Sequence, residues 1–161
     1  MTLPRTLLTT LLTTLVFAAP AVTAAQTPTR TEAQSASLRG LEATVYKAPT
    51  CGCCDGYTAF LRKHGVAVTV VSDDAALYKA KAAYGVPAEA QSCHTVLLAG
   101  YVVEGHVPLE ALTKLLAERP ELDGIALPGM PTGTPGMAGP RFGPLTVVGF
   151  KAGRLSPFVS L

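Results

Sequence analysis

A chain of 161 residues is long enough for one domain of ordinary size and a short targeting segment. Apolar residues make up 48% of the chain, which is enough for a hydrophobic core that does not depend on disulfides. The formal net charge is only +2, from 13 basic and 11 acidic residues, and neither sign forms a long run. The charge pattern therefore gives no support to nucleic acid or an anionic membrane as a partner.

The first 25 residues have the pattern of an export signal. Arg5 precedes a short, mostly apolar run from Thr6 to Phe17, and small residues follow up to Ala25. This order is typical of a cleaved signal peptide, and an uncleaved membrane anchor is the alternative. Residues 26–40 are polar and lack periodicity, which predicts a flexible linker before a domain over 41–161. We therefore expect a periplasmic or secreted protein without stable membrane insertion after signal cleavage.

Strand and helix patterns alternate through the middle of the chain, as hydrophobic periodicity and capping residues indicate. In chain order we predict a strand at 43–47, a helix at 55–64, a strand at 66–71, a helix at 75–84, strands at 95–99 and 101–104, and a helix that begins at Pro108. The order is β-α-β-α-β-β-α, with a cysteine pair at the first strand–helix junction. Together these features predict an α/β fold of the thioredoxin-like kind.

The end of the chain is rich in glycine and proline. Residues 124–144 contain both at a density that no helix or central strand tolerates, so a long loop is predicted there. Two Gly-Met units, at Met130 and Met137, lie within this Gly/Pro/Met loop. Residues 145–150 and 155–159 then predict a C-terminal hairpin.

Cys51-Gly52-Cys53-Cys54 is the strongest chemical signal in the sequence. Cys51 and Cys54 stand at the predicted start of a helix, where the helix dipole and free N–H groups lower the pKa of a thiol. A thiolate is both a nucleophile and a metal ligand, so the motif alone fits a soft metal ion, a redox-active pair or a structural disulfide. Cys53 is a further candidate ligand, or otherwise a half-buried small apolar residue.

Cys93 and His94 are predicted to lie just before the third strand. In thioredoxin-like proteins that position faces the Cys-x-x-Cys pair and usually holds a cis-proline. This chain has two metal-ligand residue types there. The thiolates of Cys51, Cys54 and Cys93 and the imidazole of His94 can therefore converge on one ion. The alternative is a buried thiol beside a hydrogen-bonded histidine.

Three further residues are candidate ligands. His106 follows the fourth strand and is either a ligand or an ordinary loop residue. Met130 and Met137 supply thioether sulfur, which suits Cu(I), or else anchor their loop by apolar packing.

Five short motifs, taken in order, resemble those of a known family. They are Tyr46 to Cys54, Gly85-Val86-Pro87, Ser92 to Thr95, Glu104 to Pro108, and the Pro-Gly-Met units within 128–137. The family is the CGCC metal-binding proteins, known as domain of unknown function 411, and the resemblance covers roughly residues 44–150. It implies a thioredoxin-like, exported protein associated with copper handling. One departure is the helix start Asp55-Gly56, because glycine lowers helix propensity.

These observations predict an exported protein that binds a soft metal ion and acts in copper buffering, delivery or resistance. Sulfur and nitrogen donors favour Cu(I), and Zn(II) also fits a site of three cysteines and one histidine. A copper-exporting or copper-accepting protein is the candidate partner. The alternative is a thiol–disulfide oxidoreductase with Cys51 as nucleophile and Cys54 as resolving thiol, and a third is a binding module with a structural disulfide. The sequence favours a binding protein over an enzyme without deciding between them.

Overall fold

The computed structural model describes residues 29–161, so the predicted signal peptide at 1–25 lies outside the described residues. Within that part of the chain, seven strands form one mixed sheet accompanied by four α-helices. None of the helices between residues 29 and 161 is both long enough and apolar enough to cross a membrane.

The helices and strands follow the predicted order from the first strand to the third predicted helix, and the predicted C-terminal hairpin is present. The elements are α1 (Arg30–Leu38), β1 (Glu42–Lys47), α2 (Gly52–Lys63), β2 (Ala67–Ser72), α3 (Asp74–Ala83), a 3-10 turn (Ala88–Ala90), β3 (His94–Leu98), β4 (Tyr101–Glu104), α4 (Leu109–Glu118), β5 (Gly124–Ala126), β6 (Thr146–Lys151) and β7 (Arg154–Ser160). The prediction of a mixed α/β fold is therefore confirmed.

The strands lie in the order β2-β1-β3-β4-β5-β6-β7. β1 pairs in parallel with β2, β4 pairs in parallel with β5, and the other neighbours are antiparallel. This order puts β1 beside β3. The segment that leads from β1 into α2 therefore lies next to the start of β3, which is where the two cysteine motifs of the sequence stand.

The two faces of the sheet carry different clusters of apolar side chains, because successive residues of a strand point to opposite faces. Val45 of β1 and its partner Val96 of β3 belong to the larger cluster. Other members of that cluster come mainly from α2, α4 and β5: Tyr57, Leu61, Leu112, Leu115 and Ile125. The smaller cluster lies on the other face and consists of Val86, Ala90, Val102, Ala126 and Phe150.

The structure differs from the sequence-based expectation at α1, which lies in the segment predicted as a linker. The hydroxyl of Thr29 accepts from the backbone N–H of Glu32 (3.3 Å), and the Thr29 N–H donates to the Glu32 carboxylate (2.7 Å). This reciprocal capping box supports a helix with little amphipathic periodicity. Leu38 is fully buried, so the end of α1 is part of the core.

β5 is the second difference, since it lies inside the segment predicted as one long loop. Gly124 begins this three-residue strand between β4 and β6. A Cβ there would lie 2.3 Å from the carbonyl oxygen of Val102, so the close approach of the two strands requires glycine. Pairing with neighbours on both sides outweighs the poor strand propensity of the segment.

Candidate metal centre

The first half of the site lies where β1 ends and α2 begins. Lys47 is buried, and its ammonium donates to the carbonyl oxygens of Ala48 (3.0 Å) and Pro49 (3.3 Å). It also forms an ion pair with Asp55 (3.1 Å) in the first turn of α2. These bonds fix the loop that leads into Cys51, which is the N-cap residue of α2 and makes no side-chain capping bond. The first N–H groups of α2 therefore contribute partial positive charge beside the cysteine sulfurs.

Four cysteines converge at this point, with their sulfur atoms all within 4.8 Å of one another. Cys53 Sγ lies 3.4 Å from Cys51 Sγ and 3.9 Å from Cys93 Sγ. Cys54 is fully buried, and its Sγ lies 3.6 Å from the carbonyl oxygen of Cys93. The structure thus brings Cys93 to the Cys-Gly-Cys-Cys motif, and the four residues form a group that can hold a metal ion.

Cys51 and Cys54 are joined by a disulfide, with their Cα atoms 5.3 Å apart, while Cys53 and Cys93 are free thiols. A disulfide sulfur carries no charge, whereas thiolate is the form of cysteine that binds metals. Reduction of the pair would therefore add two ligands to the site. The metal-binding and redox alternatives that the sequence leaves open correspond to two oxidation states of the same four cysteines.

Two imidazole rings flank Cys93 on its other side. The Nδ1 atom of His94 lies 3.3 Å from Cys93 Sγ, and the Nε2 atom of His106 lies 3.1 Å from it. These three residues form a second group that can hold a metal ion, with their donor atoms again within 4.8 Å of one another. Cys93 belongs to both groups, so its sulfur is the point where the thiol and imidazole donors meet.

The hydrogen bonds of the two histidines differ. His106 Nδ1 donates to the carbonyl oxygen of Pro135 (2.7 Å), so in the neutral ring the Nε2 lone pair is presented to Cys93. His94 presents Nδ1 to the sulfur instead. Its Nε2 is buried and has no hydrogen-bond partner among residues 29–161, and the ring packs on Tyr57 with the ring centroids 4.5 Å apart.

Burial determines the protonation of the site. It raises the pKa of the Cys93 thiol to about 12, and the neighbouring Cys53 adds to this effect. Burial lowers the pKa of His94 to about 3, with a further contribution from His106, and it also lowers the pKa of His106. Both imidazoles are therefore neutral near pH 7 and offer a lone pair. The Cys93 thiol holds its proton there, and a metal ion that binds the sulfur must displace it.

The glycine- and proline-rich loop packs against the first turn of α2. A Cβ at Gly136 would lie 2.5 Å from the carbonyl oxygen of Cys53 and 2.6 Å from the backbone nitrogen of Tyr57. A Cβ at Gly56 would in turn lie 2.8 Å from the Cα of Gly136. Gly56, which lowers the helix propensity at the start of α2, is thus also the residue that allows the loop to approach the helix.

Both methionines stand in this loop beside residues that contact the site. The hydroxyl of Ser92 donates to the carbonyl oxygen of Gly129 (2.6 Å), and the next residue, Met130, is 56% exposed. Met137 follows Gly136 and is half-buried. The assignment of the two thioethers as metal ligands stays a prediction.

Two buried charged residues, which no motif in the sequence indicates, lie behind Cys93. They are Lys81 of α3 and Glu104 of β4, which form an ion pair beneath the segment from Ser92 to Thr95. The available signal is their spacing. Lys81 stands four residues after the apolar Leu77 on one helix face, and Glu104 ends an apolar strand.

Together these features define an α/β protein with a cysteine- and histidine-rich site that can hold a metal ion. A family model described as "Protein of unknown function, DUF411" matches residues 90–137. The chain belongs to the DUF411 family, whose motifs it resembles. No curated protein matches the chain.

Two solved structures are similar to the chain over most of its length, and both are named copper resistance protein CopG. Form 2 is 39% identical, and the match covers 75% of this chain and 98% of that one, with a TM-score of 0.67. Form 1 is 38% identical, with coverage of 75% and 97% and a TM-score of 0.68.

Proposed function

We propose that this protein is an exported Cu(I)-binding protein that acts in copper buffering, delivery or resistance. The observation that carries the proposal is the position of Cys93. Its sulfur lies 3.9 Å from the free thiol of Cys53 and 3.3 and 3.1 Å from the imidazole nitrogens of His94 and His106. The names of the two CopG structures support copper as the metal.

The chemistry of the donors favours a soft ion. Thiolate and imidazole suit Cu(I) and Zn(II), whereas Mg²⁺, Ca²⁺ and Mn²⁺ prefer oxygen ligands. Zn(II) fits a tetrahedral set of three cysteines and one histidine, so ligand count alone does not decide between the two metals. Cu(I) accepts two or three soft ligands as well, and the thioethers of Met130 and Met137 would add to its preference.

The proposal requires a two-electron reductant, such as a dithiol that is itself oxidised to a disulfide, to convert the Cys51–Cys54 disulfide into two thiols before the full donor set binds the ion. Outside the cytoplasm two nearby thiols oxidise unless a metal or a reductase protects them. Bound Cu(I) would keep the pair from oxidising. With the Cys51–Cys54 disulfide closed, the site would retain only Cys53, Cys93 and the two histidines as donors.

The second candidate function is a thiol–disulfide oxidoreductase, and the disulfide itself favours it. Cys51 at the N-cap of α2 is the nucleophile in this alternative, and Cys54, which is buried, is the resolving thiol. A reductase assay separates the two functions. Turnover of insulin disulfides at a rate comparable to a thioredoxin, abolished in the Cys51→Ser variant, would favour the enzyme.

The decisive experiment is an anaerobic titration of the reduced protein with Cu(I) in the presence of a competing chelator. We expect at least one Cu(I) per chain, with sulfur-to-copper charge-transfer absorption in the ultraviolet. A parallel titration with Zn(II) tests the other metal. Reduced protein that leaves Cu(I) on a weak chelator would contradict the proposal.

Export and the protein partner are also part of the proposal. Fractionation and N-terminal sequencing of the mature protein should find it outside the cytoplasm and starting near residue 26. Transfer of Cu(I) to or from a copper exporter or acceptor should be faster than release into solution. Equal rates in the two cases would favour simple buffering.

A further inference from the structure

The buried pair Lys81–Glu104 is unusual because the charges of both side chains lie inside the protein. The side chain of Lys81 is 5% exposed and that of Glu104 is 0% exposed. The ammonium donates to the Glu104 carboxylate, to the carbonyl oxygen of Ser92 (3.0 Å) and to the hydroxyl of Thr95 (3.1 Å). All three of its protons therefore have an acceptor.

The carboxylate completes the same network from the other side. One oxygen of Glu104 accepts from the backbone N–H of Ser92 (2.7 Å), and the other accepts from the Thr95 hydroxyl (2.6 Å). Ser92 and Thr95 are the residues immediately before and after Cys93-His94. The pair is thus hydrogen-bonded to the residues on both sides of these two candidate ligands.

The network also reaches the third candidate ligand. Glu104 is followed by Gly105, whose backbone N–H donates to the carbonyl oxygen of His94 (3.0 Å), and His106 comes next. A Cβ at Gly105 would lie 2.7 Å from the Ser92 side chain, so the two segments are in close contact. The ion pair therefore fixes the distance between the segment that carries Cys93 and the segment that carries His106.

We propose that Lys81 and Glu104 are positioning residues for the metal site, which hold Cys93 and His106 at their contact distance before an ion binds. This inference rests on the proposed function. A buried ion pair is seldom the most stable way to fill a core, since apolar residues of similar volume often serve as well or better. Here the ion pair orients its neighbours, because each of its hydrogen bonds ends on a backbone or side-chain group beside a candidate ligand.

The test compares Cu(I) affinity in variants that keep the volume of the pair but remove its charges. The main variant is the double change Lys81→Met with Glu104→Leu, which leaves no uncompensated buried charge. The control is the same double change at the exposed ion pair Lys114–Glu118, which lies on α4. Circular dichroism and thermal unfolding confirm that each variant is folded.

We expect the double change at Lys81 and Glu104 to weaken Cu(I) binding by about 10–100-fold, the loss typical of partners that orient a metal ligand. The charge-transfer spectrum should also change, because the Cys93 and His106 donors lose their fixed separation. The control at Lys114 and Glu118 should bind like the parent. A folded double variant with the affinity and spectrum of the parent would overturn the proposal.

A metal-independent readout separates this proposal from the proposed function. The comparison uses the parent and the Lys81→Met, Glu104→Leu variant, each with the additional change Cys53→Ser. With the Cys51–Cys54 disulfide closed, Cys93 is then the remaining free thiol in both. We expect iodoacetamide to alkylate it several-fold faster when the ion pair is absent. If the parent binds no Cu(I), the proposed function fails, and this rate alone decides the positioning role.

Thr95→Val provides a second variant in case the double variant does not fold. Valine keeps the shape and the strand propensity of threonine but removes the hydroxyl that bonds Lys81 and Glu104. Cu(I) affinity should fall several-fold and the alkylation of Cys93 should be faster. Parent-like values of both in folded Thr95→Val protein would refute the proposal.

Discussion

Gly136→Ala should detach the loop from the metal site. Gly136 has φ +83°, and the new Cβ would lie 2.5 Å from the carbonyl oxygen of Cys53 and 2.6 Å from the backbone nitrogen of Tyr57. Carbon atoms rest about 3.5 Å from their non-bonded neighbours, so the loop must retreat by about 1 Å. The two colliding atoms belong to the backbone of α2, which has no freedom to move aside.

The retreat has a direct effect on the neighbouring residue. The carbonyl oxygen of Pro135 accepts from His106 Nδ1 at 2.7 Å, and a movement of about 1 Å breaks this hydrogen bond. The left-handed conformation costs an alanine about 1–2 kcal/mol, and the lost bond costs about 1 kcal/mol. We therefore expect the free energy of unfolding to fall by about 2–3 kcal/mol. Cu(I) affinity should fall by about 10-fold or more because the orientation of His106 is lost.

The matched control is Gly143→Ala in the same loop. Gly143 has φ +78°, and a Cβ there would meet nothing within 4 Å, so this change has the conformational cost without the collision. Urea unfolding and competition for Cu(I) measure the two effects. We expect the control to lose about 1–2 kcal/mol of stability and no affinity. Equal losses in the two variants, in stability and affinity, would refute the argument that the approach of Gly136 to α2 matters.

Four further results are expected. Cys93→Ser should lower Cu(I) affinity by more than about 100-fold, since its sulfur belongs to both donor groups, and parent-like affinity in folded protein would remove it from the site. His106→Gln should lose more Cu(I) affinity than His94→Gln if the Nε2 lone pair of His106, which the bond to Pro135 fixes, is the ligand. The same competition assay measures the affinity of both variants. Metal-free protein should lose stability as the pH falls from about 6.5 towards about 3, because burial holds the pKa of His94 at about 3 and the unfolded chain binds the proton first. His94 alone contributes up to about 1.4 kcal/mol per pH unit, and the lowered pKa of His106 adds to it; urea titrations should show a flatter profile in His94→Leu. Changing Met130 and Met137 together to Leu should increase the Cu(I) off-rate, and an unchanged off-rate and affinity would restrict the loop to packing.

Hydrophobic periodicity predicted most of the fold because the predicted elements have strong local signals. α3 begins after Asp73, whose side chain accepts from the Ala76 N–H (2.7 Å), and such a capping residue is visible in the sequence. α1 has no apolar stripe and depends on a capping box and on the burial of Leu38. β5 exists because two neighbouring strands pair with it. The Thr29–Glu32 capping motif is visible in the sequence, but the burial of Leu38 and the pairing of β5 are tertiary and leave no periodic pattern in the chain.

The site was predictable where chemistry-bearing residues adjoin a predicted element. Cys93 and His94 stand at the start of β3, so topology brings them to the cysteine motif. For His106 the sequence leaves a ligand and a loop residue as alternatives, because the bend at Gly105 that brings it to Cys93 depends on the close packing of Gly105 against Ser92. The sequence does not predict the pair Lys81–Glu104 for a related reason. A lysine on a helix is predicted to be exposed unless the acidic partner that neutralises its charge is known.

The loop over the site leaves the sheet at the end of β5 and returns at the start of β6, and these two strands are paired with each other (Ala126 opposite Val148). Its two ends are therefore held together by the sheet, whatever the loop does between them. At its far end Leu145 exchanges two backbone hydrogen bonds with Leu161, so the residue that follows β7 also holds this end of the loop against the sheet. Because closing a longer loop between fixed ends costs little additional entropy, the loop should tolerate added residues away from Pro135 and Gly136, which contact the site.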